Sequence, residues 1–600
     1  MATIDSERTG EESGFAGSAG IIWALVDALG IVNGARERTG RELDVVLACG
    51  FTPLHLATFL NATLQATTSR PVRVTAGGYN DLLGTLRKIV GERENTAATA
   101  VVVEWQDLDL RLGVRHLGGW GPAVLADVLR NAEAATQRLA TALEALAETR
   151  LVALCLPTLP LPPIPQTAGW QTSGFELELA HLVSAFGARM SRVNGLRVLH
   201  EGRLARLSPM SERFDLKSEL LTGFPYSRRH AAAVGHLLGA LMQERAPKKG
   251  LITDLDDTLW NGLLGEIGNG AVSWDLSHHS HEHGVYQQFV GALAEAGVLI
   301  GVVSKNDGLL VEKTLQRSDL LLRPDLIYPV EAGWGPKSAG VARVLEAWNV
   351  APDSVVFVDD SPLELAEVKA AFPDIVCQRF PKGDPKALWT LLEYLRDAFG
   401  KPMILDDDKI RVASLRANAA RKSDLVAADS DEFLSTIEAR VTVDFKNDPK
   451  DTRALELVNK TNQFNINGHR YLESDWRNYL AHPSSLLLRV SYKDKFGPLG
   501  TIAVLTGRRV GTTLRIDTWV MSCRAFSRRV EHQCIRQLFS RFDFESLTID
   551  FCQTERNGPV AEFLNSIGAK PENAGTVVYR EEFERRCPPM FHDVRELAHG

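Results

Sequence analysis

The chain has 600 residues, several times the length of a typical domain, and its 44% hydrophobic and 24% charged residues are usual for a globular protein. Its formal net charge of −8 argues against general nucleic-acid binding, which needs a basic surface to displace counterions. The acidic N-terminus lacks the basic region of a secretory signal, the apolar segment 18–32 is too short to span a bilayer, and the seven scattered cysteines suit a reducing compartment. We therefore expect a cytoplasmic protein of several domains, with neither nucleic acid nor membrane among its partners.

Apolar runs of strand length alternate with helical patterns in the first part of the chain. The runs are LDVVLAC (43–49), AVVVE (100–104) and LVALC (151–155). A helical pattern covers 122–149, and the proline-rich segment 156–170 is typical of a loop. This alternation predicts an α/β domain with a parallel sheet over residues 36–245, preceded by an N-terminal extension of residues 1–35.

A second alternating series follows the basic segment RAPKKG (245–250). Its predicted strands are LITDLD (251–256), VLIGVVS (298–304), LIYPV (326–330) and SVVFVDD (354–360). We predict a second α/β domain over residues 246–400 and a charged helical linker over 401–432. Residues 433–600 are predicted to form a mixed α+β domain. Its predicted strands are RVTVDF (440–445), SLLLRVS (485–491), GTIAVLT (500–506) and TLRIDTWV (513–520).

Two aspartates, Asp254 and Asp256, directly follow the first strand of the central domain. Open α/β sheets bind ligands beyond the carboxyl ends of their strands, although two aspartates alone fit a polar turn equally well. A hydroxyl, an ammonium and two carboxylates follow at later strand or loop ends: Ser304, Lys337, Asp359 and Asp360. In a parallel sheet these groups converge on Asp254, which predicts a catalytic site.

Each side chain has a task in phosphoryl transfer. Asp254 can attack phosphorus and hold it as an aspartyl phosphate, while Asp256 protonates the leaving oxygen and later takes a proton from water. Thr258 and Ser304 can donate hydrogen bonds to phosphoryl oxygens, and Lys337 can offset their charge. Carboxylates in this position suit Mg²⁺, which prefers oxygen ligands.

The pattern D-x-D-x-T, a serine, a lysine and an acidic pair in this order resembles the haloacid dehalogenase superfamily. The resemblance implies that Asp254 is the nucleophile and Asp256 the general acid and base. It also implies that Mg²⁺ is held by Asp254, by the backbone carbonyl of Asp256 and by the acidic pair, with Asp360 as a direct ligand and Asp359 as its neighbour. The short intervals between the motifs leave no room for a large lid domain, so we expect an open site.

Six motifs together resemble a narrower group, the FkbH-like proteins, over residues 40–585. The motifs are DLDDTLWNGLLGE (254–266), VVSKND (302–307), WGPKS (334–338), VFVDDSPLE (356–364), NKTNQFNIN (459–467) and IDTWVMSCR (516–524). The resemblance implies an SGNH-like N-terminal domain, a Rossmann-like phosphatase core and a GNAT-like acyltransferase domain. It also implies a reaction in which the glyceryl unit of 1,3-bisphosphoglycerate is dephosphorylated and loaded onto an acyl carrier protein for polyketide-type biosynthesis.

Such a reaction needs a thiol, and Cys523 is our candidate. It lies between a predicted strand and the predicted helix 527–542, next to Arg524, and a helix N-terminus and cationic neighbours favour the thiolate. The alternative is a buried, inert cysteine. The loop that binds coenzyme A in related acyltransferases has lost both of its small residues here, so Arg524 is expected to bind a carrier-protein phosphate instead.

Three amides in the motif NKTNQFN, those of Asn462, Gln463 and Asn465, are expected to bind a glyceryl hydroxyl or a phosphopantetheine amide, with structural capping as the alternative. The N-terminal domain lacks a G-D-S nucleophile motif, and Cys49 lies near the position of an SGNH serine, so an inactive, interaction or substrate-gating domain is expected. Two other functions remain open for the whole chain: a stand-alone magnesium-dependent phosphatase for another phosphoester, and an assembly factor that docks carrier proteins.

Overall fold

The computed structural model describes the chain from residue 23 to residue 597, with gaps. The described ranges are 23–40, 42–91, 96–243, 246–401, 415, 430–449, 451–461, 463–511, 513–522, 525–526, 528–554, 556–572 and 575–597. They form two compact units. The N-terminal unit contains residues 23–243 and the segment 471–482, and the C-terminal unit contains 246–470 and 483–597. Most of the predicted linker 401–432 lies outside the described residues.

A five-stranded parallel sheet lies at the centre of the N-terminal unit. Its strands are β1 (Leu43–Cys49), β2 (Val72–Ala76), β3 (Thr96–Val102), β4 (Leu151–Cys155) and β5 (Leu196–Val198), in the order β2-β1-β3-β4-β5. Its helices up to residue 242 are α1 (Leu25–Gly34), α2 (Leu54–Gln65), α3 (Leu82–Gly91), α4 (Trp105–Leu108), α5 (Leu125–Ala147), α6 (Gly174–Met190), α7 (Glu201–Leu207), α8 (Leu216–Thr222) and α9 (Arg228–Met242).

Helices cover both faces of this sheet because successive strand residues point to opposite sides. Val101 and Leu154 pack into one apolar cluster with α3, α5 and α6, whereas their neighbours Val102 and Cys155 pack into another with α2 and α9. The predicted loop 156–170 contains no helix or strand.

The first part of the C-terminal unit is a second five-stranded parallel sheet. Its strands are β6 (Gly250–Thr253), β7 (Leu299–Ser304), β8 (Ile327–Ala332), β9 (Val355–Asp359) and β10 (Val376–Arg379). Its helices are α10 (Leu264–Ile267), α11 (His281–Glu295), α12 (Gly308–Leu315), α13 (Lys337–Trp348), α14 (Pro362–Ala371) and α15 (Pro385–Phe399). The order β10-β9-β6-β7-β8 places β6, the first strand, in the middle, which is the arrangement of a Rossmann-like sheet.

Two glycines set the position of α13 against this sheet. A Cβ atom on Gly250 of β6 would lie 2.3 Å from the Trp348 ring, and one on Gly301 of β7 would lie 2.8 Å from it. Real Cβ atoms do not approach so closely, so the glycines let the last turn of α13 lie directly on the sheet. The first residue of the same helix, Lys337, thereby lies at the other edge of the sheet, beyond the carboxyl end of β6.

A mixed sheet forms the second part of the C-terminal unit. Its strands are β11 (Arg440–Asp444), β12 (Phe464–Asn465), β13 (Ser485–Asp494), β14 (Gly497–Val510), β15 (Thr513–Met521), β16 (Ser546–Ile549), β17 (Thr576–Tyr579) and β18 (Asp593–Glu596). The main path is β17-β16-β15-β14-β13-β11-β18, and β12 pairs with β15. The remaining α-helices in the described part of the chain are α16 (Ser430–Thr436), α17 (Thr452–Lys460), α18 (Glu473–Ala481), α19 (Val530–Arg541), α20 (Gly558–Ser566) and α21 (Arg580–Arg586).

Helix α18 belongs to the N-terminal unit, where the Arg477 guanidinium donates to the carbonyl of Ala147 at the end of α5. Among the described residues, no helix has the length and hydropathy needed to cross a membrane. The predicted α/β class is confirmed, with two parallel sheets and a mixed third sheet.

Candidate active site

Asp254 lies at the carboxyl end of β6, in the middle of the second parallel sheet. Its amide donates to the carbonyl of Val358 in β9 at 3.0 Å, which extends the strand pairing by one residue. The side chain is only 5% exposed and projects beyond the sheet edge, where ligands of parallel sheets bind. The strand pairing therefore fixes the candidate nucleophile at the expected place.

Lys337 connects the carboxylates of the site. Its ammonium lies 2.9 Å from Asp254 Oδ2 and 2.6 Å from Asp359 Oδ2, and it also contacts Glu364. The side chain is 2% exposed. A lysine ammonium has three protons, so the three carboxylates satisfy all of its donors.

Burial and charge act against each other in this cluster. Burial raises the pKa of Asp254 to about 7, with Lys337 opposing the shift and the charge of Asp359 adding to it. Burial lowers the pKa of Lys337, but the charges of Asp254 and Asp359 outweigh burial and hold that pKa above its usual value. Burial also raises the pKa of Asp359 in spite of Lys337. The cluster therefore has more buried carboxylate than its one buried cation can neutralise.

Three of the acidic side chains are placed so that they could hold a metal ion. Asp254, Asp359 and Asp360 each offer a carboxylate oxygen, and these oxygens lie within 4.8 Å of one another. Asp254 Oδ1 is buried and accepts no hydrogen bond from any described residue. The excess of buried carboxylate over buried ammonium in this cluster is costly unless a cation binds, and oxygen ligands are those that Mg²⁺ prefers. The residues present therefore fit a magnesium ion.

Asp256 has a separate set of partners. Its Oδ1 accepts a hydrogen bond from Trp260 Nε1 at 2.9 Å, and its Oδ2 accepts one from the amide of Leu264 at 3.2 Å. The carboxylate is half-buried, while the indole is fully buried. The turn after β6 thus holds Asp256 in a fixed orientation, as a general acid and base requires.

Thr258 and Asp257 shape the same turn. The buried Thr258 Oγ1 accepts a hydrogen bond from the amide of Asp360 at 3.1 Å, and the Thr258 carbonyl accepts one from His283 Nδ1 at 2.9 Å. Asp257 has a positive φ of 51° and pairs with Lys382 at 2.6 Å. Burial raises the pKa of Asp257, but the hydrogen bonds from Lys382 and from the Gly262 amide outweigh burial and bring it below its usual value. Asp257 is thus a turn residue.

Ser304 ends β7, is 3% exposed, and accepts a hydrogen bond from Asn306 Nδ2 at 3.0 Å. Its carbonyl accepts from the amide of Gly333, which ties the loop before Lys337 to the end of β7. In residues 246–401, all of which are described, the connections between the strands carry only the helices named above and two 3₁₀ turns, Pro324–Leu326 and Pro352–Ser354. The site has no inserted lid domain, as the short intervals between the motifs predict.

Two charged residues at the site were not singled out from the sequence. Glu364, in the first turn of α14, contacts Lys337, and its other oxygen lies 3.0 Å from Lys305 Nζ. Burial raises the pKa of Glu364, but the hydrogen bond with Lys337 outweighs burial and lowers it. Lys305 lies in the motif VVSKND and Glu364 in the motif VFVDDSPLE. Both residues were therefore part of motifs noted in the sequence, but only the fold shows that their side chains are in contact.

Several solved chains are similar to this one. Among them is the crystal structure of the N-terminal part of the protein BF1531 from Bacteroides fragilis containing phosphatase domain complexed with Mg, which has 18% sequence identity and a TM-score of 0.48. The similarity covers 63% of this chain and 99% of that one. No protein-family model matches the chain, and a search of the curated proteins found no match. The chemistry of the site is therefore argued from its own side chains.

The predicted acyl-transfer residues are only partly described. Cys523, Arg524 and Asn462 lie outside the described residues. Gln463 Oε1 accepts a hydrogen bond of 3.4 Å from Asn349, the residue after α13. The buried Asn465 donates to the carbonyl of Thr461, and its Oδ1 accepts from the amides of residues 467 and 468. Asn465 therefore caps its own loop.

Strand β12 occupies a gap beside β15. The parallel pairing of β15 with β16 covers only Leu514 to Ile516 of β15. Further along β15, Phe464 and Asn465 of β12 pair with Met521 and Val520. The buried side chain of Asn557 holds this arrangement, because its Nδ2 donates to the carbonyls of Asn465 and Cys552. The chain itself thus fills the space where β15 and β16 separate.

The remaining candidates have structural environments. Cys49 is 2% exposed, its Sγ donates to the carbonyl of Phe51, and burial, with the charge of Asp107 adding to it, raises the pKa of the thiol to about 12. Such a thiol is not a nucleophile at neutral pH. In the histidine-rich segment, His278 pairs with Asp275, and His283 donates to the Thr258 carbonyl from within α11. That segment supports the turn of the active site.

Proposed function

We propose that the C-terminal unit is a magnesium-dependent phosphatase in which Asp254 is the nucleophile. One observation carries this proposal: a single buried ammonium, that of Lys337, joins Asp254 to the acidic pair, while the second oxygen of Asp254 is left without a donor. A nucleophilic carboxylate needs one oxygen that is held and one that is open to phosphorus.

In the proposed first step, Asp254 Oδ1 attacks phosphorus and forms an aspartyl phosphate, while the bond from phosphorus to the leaving oxygen breaks. Asp256 supplies the proton that the leaving oxygen takes up. In the second step Asp256 accepts a proton from water, and the oxygen of that water forms a new bond to phosphorus, which releases phosphate and restores Asp254. Trp260 and the Leu264 amide hold Asp256 in the orientation that both transfers need.

The remaining groups bind charge. Lys337 offsets negative charge at the phosphoryl group, and the buried Ser304 hydroxyl, beside Asn306, can donate to a phosphoryl oxygen. Asp254, Asp359 and Asp360 would hold Mg²⁺, which neutralises phosphoryl charge when it is bound. The carboxylates at this edge outnumber the ammonium groups of Lys337 and Lys305, which favours a divalent cation there.

We further propose that the whole chain is a glyceryl transferase and phosphatase of the FkbH-like type. The thiolate of Cys523 would attack the acyl carbon of 1,3-bisphosphoglycerate. The bond from that carbon to the phosphate oxygen would break, which forms a thioester and releases inorganic phosphate. The phosphomonoester at the other end of the same three-carbon unit would be the substrate of Asp254. The thiol of a phosphopantetheine arm on an acyl carrier protein would then take the acyl group from Cys523 by thioester exchange. The motif order and the absence of a lid support this proposal.

The phosphatase proposal is tested with p-nitrophenyl phosphate and Mg²⁺. We expect Asp254→Asn to lower kcat by roughly a thousandfold or more, because the amide cannot attack phosphorus. Asp325→Asn is the matched control, since Asp325 is a surface aspartate of the same domain that pairs with Arg323. Equal activity of the two variants would exclude Asp254 as the nucleophile.

The acyl-transfer proposal is tested by intact-protein mass spectrometry after incubation with 1,3-bisphosphoglycerate. We expect Asp254→Asn to accumulate a phosphorylated acyl adduct on Cys523, because loading proceeds and dephosphorylation stops. An unmodified Cys523 in that variant would contradict the scheme. Full turnover of the native substrate by Cys523→Ala would instead favour a phosphatase that acts without acyl transfer.

A further inference from the structure

Five exposed apolar side chains lie beside the phosphatase site. They are Leu263, Ile267, Leu309, Trp334 and Leu363, and their exposed fractions run from 42% for Leu263 to 79% for Leu363. All five lie in the segments that follow the carboxyl ends of β6, β7, β8 and β9. Single exposed apolar residues are ordinary, but a group of them beside a polar site indicates a binding surface. We call these five residues the apolar rim.

The first two residues of the rim belong to the turn that holds the proposed general acid and base. Leu263 directly precedes Leu264, whose amide donates to Asp256 Oδ2. Ile267 packs over the same turn, because a Cβ atom on Gly262 would lie 2.4 Å from Ile267 Cδ1. Two apolar side chains are thus exposed next to the group that would protonate the leaving oxygen.

Two leucines at the starts of helices are tied to the site in a similar way. Leu309, in the first turn of α12, shortly follows Asn306, whose side chain donates to the Ser304 hydroxyl at 3.0 Å. Leu363, in the first turn of α14, directly precedes Glu364, which contacts the buried ammonium of the site. Both leucines are more than three-quarters exposed. They therefore lie at the entrance and not in the core.

Trp334 is the largest residue of the rim. It lies in the loop between β8 and α13, and this loop is held at both ends. The amide of Gly333 donates to the Ser304 carbonyl at 3.1 Å, and Lys337 binds Asp254. The indole is nevertheless 75% exposed. Because a tryptophan can cover about 150–250 Å² of apolar surface, this residue offers the greatest apolar contact at the entrance.

The geometry of phosphoryl transfer directs the leaving group towards the rim. The attacking and leaving oxygens lie roughly in line on opposite sides of phosphorus. Asp254 lies at the carboxyl end of β6, so a leaving group opposite to it points away from the sheet, between the segments that carry the rim. Residues 246–401, all of which are described, contain no lid domain that would enclose it. The rim is therefore the surface that a leaving group meets.

Resting on the phosphatase function proposed above, we propose that this site prefers phosphomonoesters whose leaving group carries an apolar chain or ring. The apolar part packs on Trp334 and its neighbours in the rim, while the phosphate binds at Asp254. A small polar phosphate leaves the rim in water. A phosphoglyceryl unit fits this preference only as part of a longer molecule whose remainder reaches the rim.

A series of alkyl phosphates tests the preference. The full chain with Mg²⁺ is given ethyl, butyl or hexyl phosphate, or glycerol 3-phosphate, and the released phosphate is measured. The three simple alcohols are nearly equal as leaving groups, so chain length changes the apolar contact and not the chemistry. Burying a methylene fully gives about a fourfold gain, so we expect kcat/KM to rise about twofold per methylene on a half-covered rim, mainly through KM. Glycerol 3-phosphate should be no better than ethyl phosphate.

Two tryptophan variants assign the preference to the rim. We expect Trp334→Ala to lower the ratio of kcat/KM for hexyl phosphate to that for ethyl phosphate by roughly fivefold, because the alkyl chain loses its largest apolar contact. Trp389→Ala is the matched control. Trp389 is also an exposed tryptophan of this domain, but it lies within α15, outside the segments that follow β6 to β9. This control should keep the ratio of the unchanged chain.

The outcomes separate this inference from the phosphatase proposal. Hydrolysis that depends on Asp254 but is equally efficient for ethyl and hexyl phosphate would overturn the inference and leave the phosphatase proposal standing. So would a ratio that Trp334→Ala and Trp389→Ala lower alike, or an absence of hydrolysis of every alkyl phosphate while p-nitrophenyl phosphate is turned over. If Asp254→Asn hydrolysed p-nitrophenyl phosphate as well as the unchanged chain, the phosphatase proposal itself would fail, and this inference with it.

Discussion

The three carboxylates around Lys337 come from three separate elements: Asp254 follows β6, Asp359 ends β9, and Glu364 lies in α14. A parallel sheet is what brings them together, since all of its strands end at one edge. The sequence predicted the first two because each directly follows an apolar run. It did not single out Glu364, which is one polar residue among several in a helix.

Asp256 and Asp257 are adjacent in the sequence, yet only Asp256 should be needed for turnover. We expect Asp256→Asn to lower kcat by about a hundredfold or more, because it removes the general acid and base. We also expect the aspartyl phosphate to accumulate on Asp254, since water is no longer deprotonated, and acid-quenched mass spectrometry would detect it.

Asp257→Asn is the control for this experiment. Residue 257 has a positive φ of 51°, and asparagine adopts positive φ more readily than most other side chains do. We expect this variant to keep most of the activity. If it lost as much activity as Asp256→Asn, the assignment of the two roles would be wrong.

His230 gives the N-terminal unit a pH-dependent stability. The ring is fully buried between Thr158 Oγ1 at 2.9 Å and Ser208 Oγ at 3.0 Å, and burial, with Arg213 adding to it, lowers the pKa of His230 to about 3. The unfolded chain has a histidine pKa of about 6.5, so the unfolded state binds the proton first as the pH falls. The stability that neutral His230 contributes above a pH of about 6.5 is therefore lost progressively as the pH falls towards 3.

The variant His230→Gln isolates this effect, because the carboxylates of the unit titrate in both proteins. Relative to the variant, we expect the unchanged chain to lose about 2 kcal/mol of unfolding free energy between pH 7 and pH 5. Hydrogen exchange of the β4 and α9 amides would measure it. A difference that does not vary with pH would show that His230 is not neutral in the folded unit.

At the scale of elements, strands that coincide with a clear apolar run could be predicted, including the four-residue β6, and strands without one could not. Strands β1, β4, β7 and β9 are continuous apolar runs, as expected where helices cover both faces of a sheet. By contrast β5 has three residues and β12 has two, which is too few to show a period. Their pairing depends on neighbours that are distant in the sequence.

The contact of α13 with the sheet can be tested at Gly301. We expect Gly301→Ala to lower the unfolding free energy by about 1–3 kcal/mol, because the new methyl group would overlap the Trp348 ring. We also expect kcat to fall, since a displaced α13 carries Lys337 with it. Urea unfolding and p-nitrophenyl phosphate hydrolysis would measure the two effects.

Gly291→Ala, in α11 of the same domain, is the matched control. A Cβ atom there meets only Leu322, at an ordinary contact distance of 3.9 Å. Alanine in a helix is favoured over glycine by about 0.5–1 kcal/mol, so this variant should be as stable as the unchanged chain or more stable. If both alanine variants behaved alike, close packing at Gly301 would not be the cause.

At the scale of the whole molecule, metal binding should stabilise the C-terminal unit alone. A ligand that binds only the folded state adds about 2.7 kcal/mol at a concentration one hundred times its Kd. We therefore expect Mg²⁺ to slow hydrogen exchange of the β6 and β9 amides and to leave β1 and β3 unchanged. Asp360→Asn should abolish this protection, and Asp325→Asn should keep it. Protection that was equal in both units would point to nonspecific binding.

The pairing of β12 with β15 couples ligand access at the edge of β15 to the folding of a short segment. An extended ligand that added to the same edge of β15 would have to replace Phe464 and Asn465, which are buried and paired with Met521 and Val520. Displacement would also separate Phe464 from Trp519, whose rings lie 5.3 Å apart. The affinity of this edge for any arm or peptide is therefore reduced by the free energy needed to open it. A substitution that weakened the Phe464 packing would increase access to the edge without changing any group that touches the ligand.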